Sequence, residues 1–192
     1  MCGQGKHGRC SMSLAEELLE HARFLASLDE QTTSQANIRR AISAAYYAVF
    51  HLLSAAVAEQ VSPDFPAGLR ECTQRVLSHS QMANVAKAFS PQGKGKGKKE
   101  VKEDKEVRCL PKGFVLPEPV SAELASIASV FQELQDARHA ADYDVLRKFD
   151  PVDAISYVQE AEKVFKDWKT EKHSKNAPVF LAALIFGKDW NK

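Results

Sequence analysis

The chain carries almost no net charge and few of the short patterns that announce a metal or a membrane. Lys plus Arg (26) nearly cancel Asp plus Glu (25), leaving a formal charge of +1. The balance gives no ground for whole-molecule attraction to nucleic acid or anionic lipid, and any basic site must be local. Four cysteines, Cys2, Cys10, Cys72 and Cys109, form no CxxC pair. Cys2, His7 and Cys10 lack the tight spacing and fourth ligand of a zinc site, so neither metal nor cofactor is expected. The N-terminus lacks the apolar core of a signal peptide, and the longest apolar stretch, Ala177 to Phe186, is about half a membrane span. The expectation is a cytoplasmic protein with reduced thiols and no transmembrane helix. No Asn-Gly turn separates alternating runs, which removes the strongest hairpin signal.

What is present is helical periodicity. With 192 residues, 44% of them hydrophobic, the chain is long enough for a real core and is read as one domain, 1–192. Residues 1–12 hold three glycines and no apolar period, as a frayed start does. Ser13-Leu-Ala-Glu16 reads as a capping box opening a first helix that runs to about Leu28. A second helix runs from about Ser34 to Gln60 without Gly or Pro. Its stripe, Ile38, Ile42, Ala45, Val49, Leu52 and Ala56, marks it as the central element. Val61-Ser-Pro-Asp-Phe-Pro breaks the pattern. Leu69 to Phe89 then support a third helix or a kinked pair, interrupted near Ser78-His-Ser-Gln.

Residues 90–120 are dense in Lys, Gly, Pro and acid, and are read as a linker or long loop. Its lysines, Lys94 to Lys99, are followed at once by acids, so a solvated loop is preferred to a nucleic-acid arm. Ser121 caps a helix with Leu124, Ile127, Ala128, Phe131 and Leu134 on one face. Asp150-Pro151, an N-cap followed by proline at the first helical position, opens another. The extension 174–192 ends in Ala-Pro-Val-Phe-Leu-Ala-Ala-Leu-Ile-Phe, a short buried helix or a strand that periodicity does not separate. The expected fold is all-α: an up-and-down bundle of four to five helices, a long Gly/Lys-rich loop and a short apolar C-terminal element.

Two places carry chemistry. On a helical wheel Arg138 falls inside the apolar sector of Leu124, Ile127, Phe131 and Leu134. Dehydrating a guanidinium there costs several kcal/mol unless it is paired. Either it sits at the last turn and pairs with Asp142 or Asp144, or the bundle opens into a cleft where its fork grips phosphate oxygens. On the second helix Arg40, Ser43, Tyr47, His51 and Ser54 share the side opposite Ile38. That strip is either a half-exposed face shielded by a neighbour or part of a pocket wall.

The run Arg39-Arg40-Ala-Ile-Ser-Ala-Ala-Tyr46-Tyr47-Ala-Val-Phe50-His51, followed by Arg138-His139-Ala-Ala-Asp142-Tyr143-Asp144, resembles the HEPN superfamily. The likeness is to its bacterial and archaeal branch with R-AYYA-FH and R--ADYD motifs, over about residues 13–170. The resemblance implies a homodimer with the motif helices meeting at the two-fold axis. It also implies a toxin-antitoxin or defence setting, often with a nucleotidyltransferase-type partner, and in many members metal-independent RNA cleavage.

The family motif sets four to six residues between its arginine and its histidine. Here those positions are Tyr143, Asp144 and Val145. Cleavage needs a proton acceptor, a proton donor and a cation on the phosphate. Arg138 supplies the cation, whereas Tyr143, with a usual pKa of about 10, is a poor base. His139 points about 100° away from Arg138 on a regular helix.

The residues taken forward are Arg138, Asp142 and Tyr143 for chemistry and Arg40, Tyr47, His51 and His139 for binding. The favoured expectation is a module that binds RNA, a nucleotide or a partner. The alternative is an endoribonuclease using Arg138 with Asp142 and Tyr143. Arg75 and His79, one turn apart, are read as a surface coincidence.

Overall fold

The computed structural model describes residues 12–28, 33–61, 63–90, 107 and 109–190. Among them are seven helices and no strand: α1 (Leu14–Ala26), α2 (Gln35–Val61), α3 (Ala67–Val76), α4 (His79–Phe89), α5 (Ala122–Tyr143), α6 (Pro151–Glu171) and α7 (Ala177–Phe186). Cys2, His7, Cys10 and the lysine run lie outside the described residues. Among those described, no group of acidic, His or Cys side chains is placed to hold a metal ion.

The caps read from the sequence form. Ser13 Oγ accepts from the Glu16 amide at 3.3 Å while the Glu16 carboxylate accepts from the Ser13 amide at 2.9 Å. Ser121 Oγ accepts from the Leu124 amide at 3.0 Å, and the Asp153 carboxylate accepts from the Asp150 amide at 2.8 Å. Each satisfies an amide that a helix start leaves without a partner.

The long helices α1, α2, α5 and α6 pack on one another, and contacts at their ends fix the directions. The start of α2 meets the end of α5 through Arg39. The end of α6 meets the start of α5 through Glu171 and Ser121. Both pairs are therefore antiparallel. Gln35 at the start of α2 clamps Phe149 beside the start of α6, accepting from its amide at 3.2 Å and donating to its carbonyl at 2.6 Å, so α2 and α6 run the same way.

The central helix differs from its expected one-sided stripe. It touches α1, α3, α5, α6 and α7, and between Ile38 and Ala58 it is buried nearly all round. For the same reason it, and not the Ala177–Phe186 stretch, is the one helix among the described residues long and apolar enough to cross a membrane; 72% of its apolar window is buried inside the bundle.

Three other expectations are refined. The third segment is two helices, because Leu77 is extended and Ser78 caps α4, accepting from the Gln81 amide at 3.3 Å. Residues 177–186 are helical and part of the core: Phe180 is fully buried with its ring 5.2 Å from Phe89, edge to face. The loop is not all solvated, since Val107 and Leu110 are buried against the main core.

The end of α6 holds a buried carboxylate without a basic partner among the described residues. Glu171, 3% exposed, accepts from Ser121 Oγ and Ser174 Oγ. Those hydroxyls in turn accept from Leu124 and Ala177 amides in the first turns of α5 and α7. The positive ends of two helices thus face the carboxylate through serine relays.

Candidate functional site

Arg138 lies in the last turns of α5, on the side that faces α2, and its side chain is 19% exposed. Nη2 donates to Tyr47 Oη at 2.7 Å. Nε lies 2.8 Å from Asp142 Oδ2, one turn further on, an ion-pair contact out of line for a hydrogen bond. The other Asp142 oxygen accepts from Ser43 Oγ of α2 at 2.6 Å. The guanidinium also lies 5.4 Å from the Tyr47 ring centre, 5.6 Å from Tyr143 and 6.0 Å from Tyr46. Its desolvation would pull its pKa down, but the Tyr47 hydrogen bond and the nearby Tyr47, Asp142 and Tyr143 groups more than offset that and raise it.

The expected pairing of Arg138 with Asp142 is therefore present, and α2 contributes Ser43 and Tyr47 to it. The half-exposed strip expected on α2 divides. Ser43 and Ser54 are buried, with Ser54 Oγ donating to the Phe50 carbonyl at 2.7 Å. Tyr47 and His51 are half-buried, whereas Arg40 is exposed and stays outside the cluster.

Its neighbour Arg39, not singled out from the sequence, turns inward. It donates to the carbonyls of Ala141 at 2.7 Å, Asp144 at 2.9 Å and Arg147, and sits 5.6 Å over the Phe149 ring. It satisfies carbonyls that the end of α5 leaves open.

His139 is on the outer side of α5, its ring 5.0 Å from Tyr143. With Asp136, Ala140 and Asp144 these two border a shallow concavity of about 420 Å³. His139 does not join Arg138, as the turn of the helix requires.

The histidine near Arg138 comes instead from α4. Tyr46 Oη and His79 Nδ1 are 2.6 Å apart, and the His79 ring lies 6.0 Å from Tyr47 and 4.4 Å from Phe50. Burial holds His79 below its usual pKa, with help from the Arg138 charge and His51. Burial alone does the same to His51, and burial, against the pull of the Arg138 charge, pushes the Tyr46 hydroxyl strongly upward. His79 is thus no surface coincidence. Arg75 lies apart from it on α3, lining a groove of about 350 Å³ with His51, Glu71 and Gln74. Only the hydroxyl of buried Tyr46, which needs a partner, hinted that such a group would be found.

Chemically, the cluster presents one always-charged fork, half neutralised by Asp142, among rings and two neutral-leaning imidazoles. Such a fork can receive a phosphate oxygen, and of the His79 ring nitrogens Nδ1 is held by Tyr46. No family model, curated protein or solved structure matches the chain.

Proposed function

We propose that the chain is a HEPN-like helical module of a toxin-antitoxin or defence-type system. In this reading it binds RNA or a nucleotide through Arg138 and does not cleave it. It acts in the cytoplasm, as a homodimer, beside a nucleotidyltransferase-type partner. The observation that carries this is the closed network Tyr47–Arg138–Asp142–Ser43. It leaves a cation fit to hold a phosphate oxygen, while the positions at which the motif sets its histidine carry Tyr143, Asp144 and Val145 instead. Efficient ribonuclease chemistry needs an acid and a base free to move protons.

The full chain incubated with mixed RNA should retain it without cutting, and Arg138→Ala should lose retention. Discrete cleavage that disappears in Arg138→Ala would overturn the binding reading. It would favour the alternative, a metal-independent endoribonuclease using Arg138 with Asp142 and Tyr143. One feature favours that alternative: Tyr143 is 63% exposed with its ring against the Arg138 guanidinium.

A further inference from the structure

The polar and aromatic side of α2 continues beyond Arg138. Tyr47 and His51 are one turn apart, about 6 Å along the axis. The His79 ring stands against Tyr47 and Phe50, and His51 meets Phe50 edge to face at 5.5 Å. At the far end lies the α2–α3 groove, where His51 and Phe50 form one wall and Glu71, Gln74 and Arg75 of α3 the other.

Glu71 and Arg75 are i and i+4 on one helix, yet they are not among the ion pairs of the described residues. Two guanidiniums, Arg138 and Arg75, thus flank a short row of partly open rings. Arg138 Nη1 makes no hydrogen bond among the described residues, which leaves one arm of its fork for an oxygen from outside.

We propose that this face, from Arg138 past Tyr47, His79 and His51 to Glu71 and Arg75, is a track for a short stretch of single-stranded nucleic acid. The inference rests on the RNA-binding reading above and extends it to residues outside the motif. Planar rings on the track stack unpaired bases, and a duplex keeps its base faces covered; the strand must therefore be single. The two guanidiniums take phosphates. The Glu71 carboxylate only accepts hydrogen bonds. It therefore favours a base edge that presents an amino group, such as cytosine N4, over uracil, whose corresponding group is an acceptor.

Fluorescence anisotropy of the full chain with 5′-labelled oligocytidylate, oligouridylate and a fully paired hairpin, over a range of salt, tests this. Oligocytidylate should bind best and the hairpin least. Arg75→Ala should weaken binding and flatten the log-log salt slope by about 0.7. His51→Ala should weaken it about five- to a hundredfold. Glu71→Gln should abolish the preference for cytosine over uracil. Arg75 and Glu71 are exposed, and circular dichroism checks that each variant is folded.

Binding that is lost in Arg138→Ala but unchanged in Arg75→Ala and His51→Ala would remove the track and leave the phosphate grip standing. Equal binding of the hairpin would remove the single-strand assignment. No binding to any of the three probes, with or without capture of a protein partner, would remove the track and the RNA-binding reading together.

Discussion

Asp142 engages both carboxylate oxygens inside the protein, one on Arg138 and one on Ser43. Its replacement separates two effects that usually travel together. Asp142→Asn keeps the shape but removes the charge opposing the guanidinium. Urea unfolding should show a loss of about 1–2 kcal/mol, modest because the pair is partly wet, while affinity for a phosphate-bearing ligand rises. A fall in both would mean that Asp142 orients Arg138 rather than restrains it. Acid sensitivity is also decided at this scale. His51 and His79 both titrate below their usual value of 6.5 in the folded chain. The unfolded chain therefore takes up protons first, and the stability these neutral rings contribute is present above the unfolded value and lost as pH falls through it toward the folded ones. Thermal melts stepped from about pH 8 to about pH 5 should show Tm falling below about pH 6.5. His79→Gln, which can still meet the Tyr46 hydroxyl, should flatten that fall. An unchanged profile would show that His79 is no source of it.

Helices with caps and one covered side were legible from the sequence alone. Ser13, Ser121 and Asp150 start α1, α5 and α6 where local hydrogen bonding says they should. What was not legible depended on partners remote in sequence. The apolar segment 177–186 has no polar side to reveal its period, because α7 is enclosed by α4 on one side and α2 on another. Arg138 was visible as a cation in an apolar sector, but its tyrosine partner and the serine that holds Asp142 belong to α2, and the neighbouring histidine to α4. The choice of Arg40 over Arg39 missed by one residue, which on a helix is a turn of about 100°. At this scale α7 should prove integral: Phe180→Ala, which leaves a cavity beside Phe89, should cost about 3–5 kcal/mol in urea unfolding. A loss under about 1 kcal/mol would mean that α7 is only loosely attached.

On the whole molecule, one end differs from the rest. Where α5 gives way to α6, Val145 (85% exposed), Leu146 (89%) and Val152 (65%) stand in solvent beside Tyr143. An apolar group of this kind suits the proposed pairing of two copies. Light scattering should give a dimer mass for the native chain and a monomer mass for Leu146→Asp, with the monomeric variant keeping its helical signal. A native chain that stays monomeric at high concentration would end the pairing proposal. The opposite extreme is α3, where no residue from Gly68 to Val76 is buried and whose main neighbour is α2. Its amides are guarded only by their own ladder, so in deuterated buffer they should exchange earliest of the helical amides and without waiting for global opening. Each such excursion would bare the His51 wall, so that the side of the molecule offered to a ligand is renewed far more often than the bundle itself comes apart.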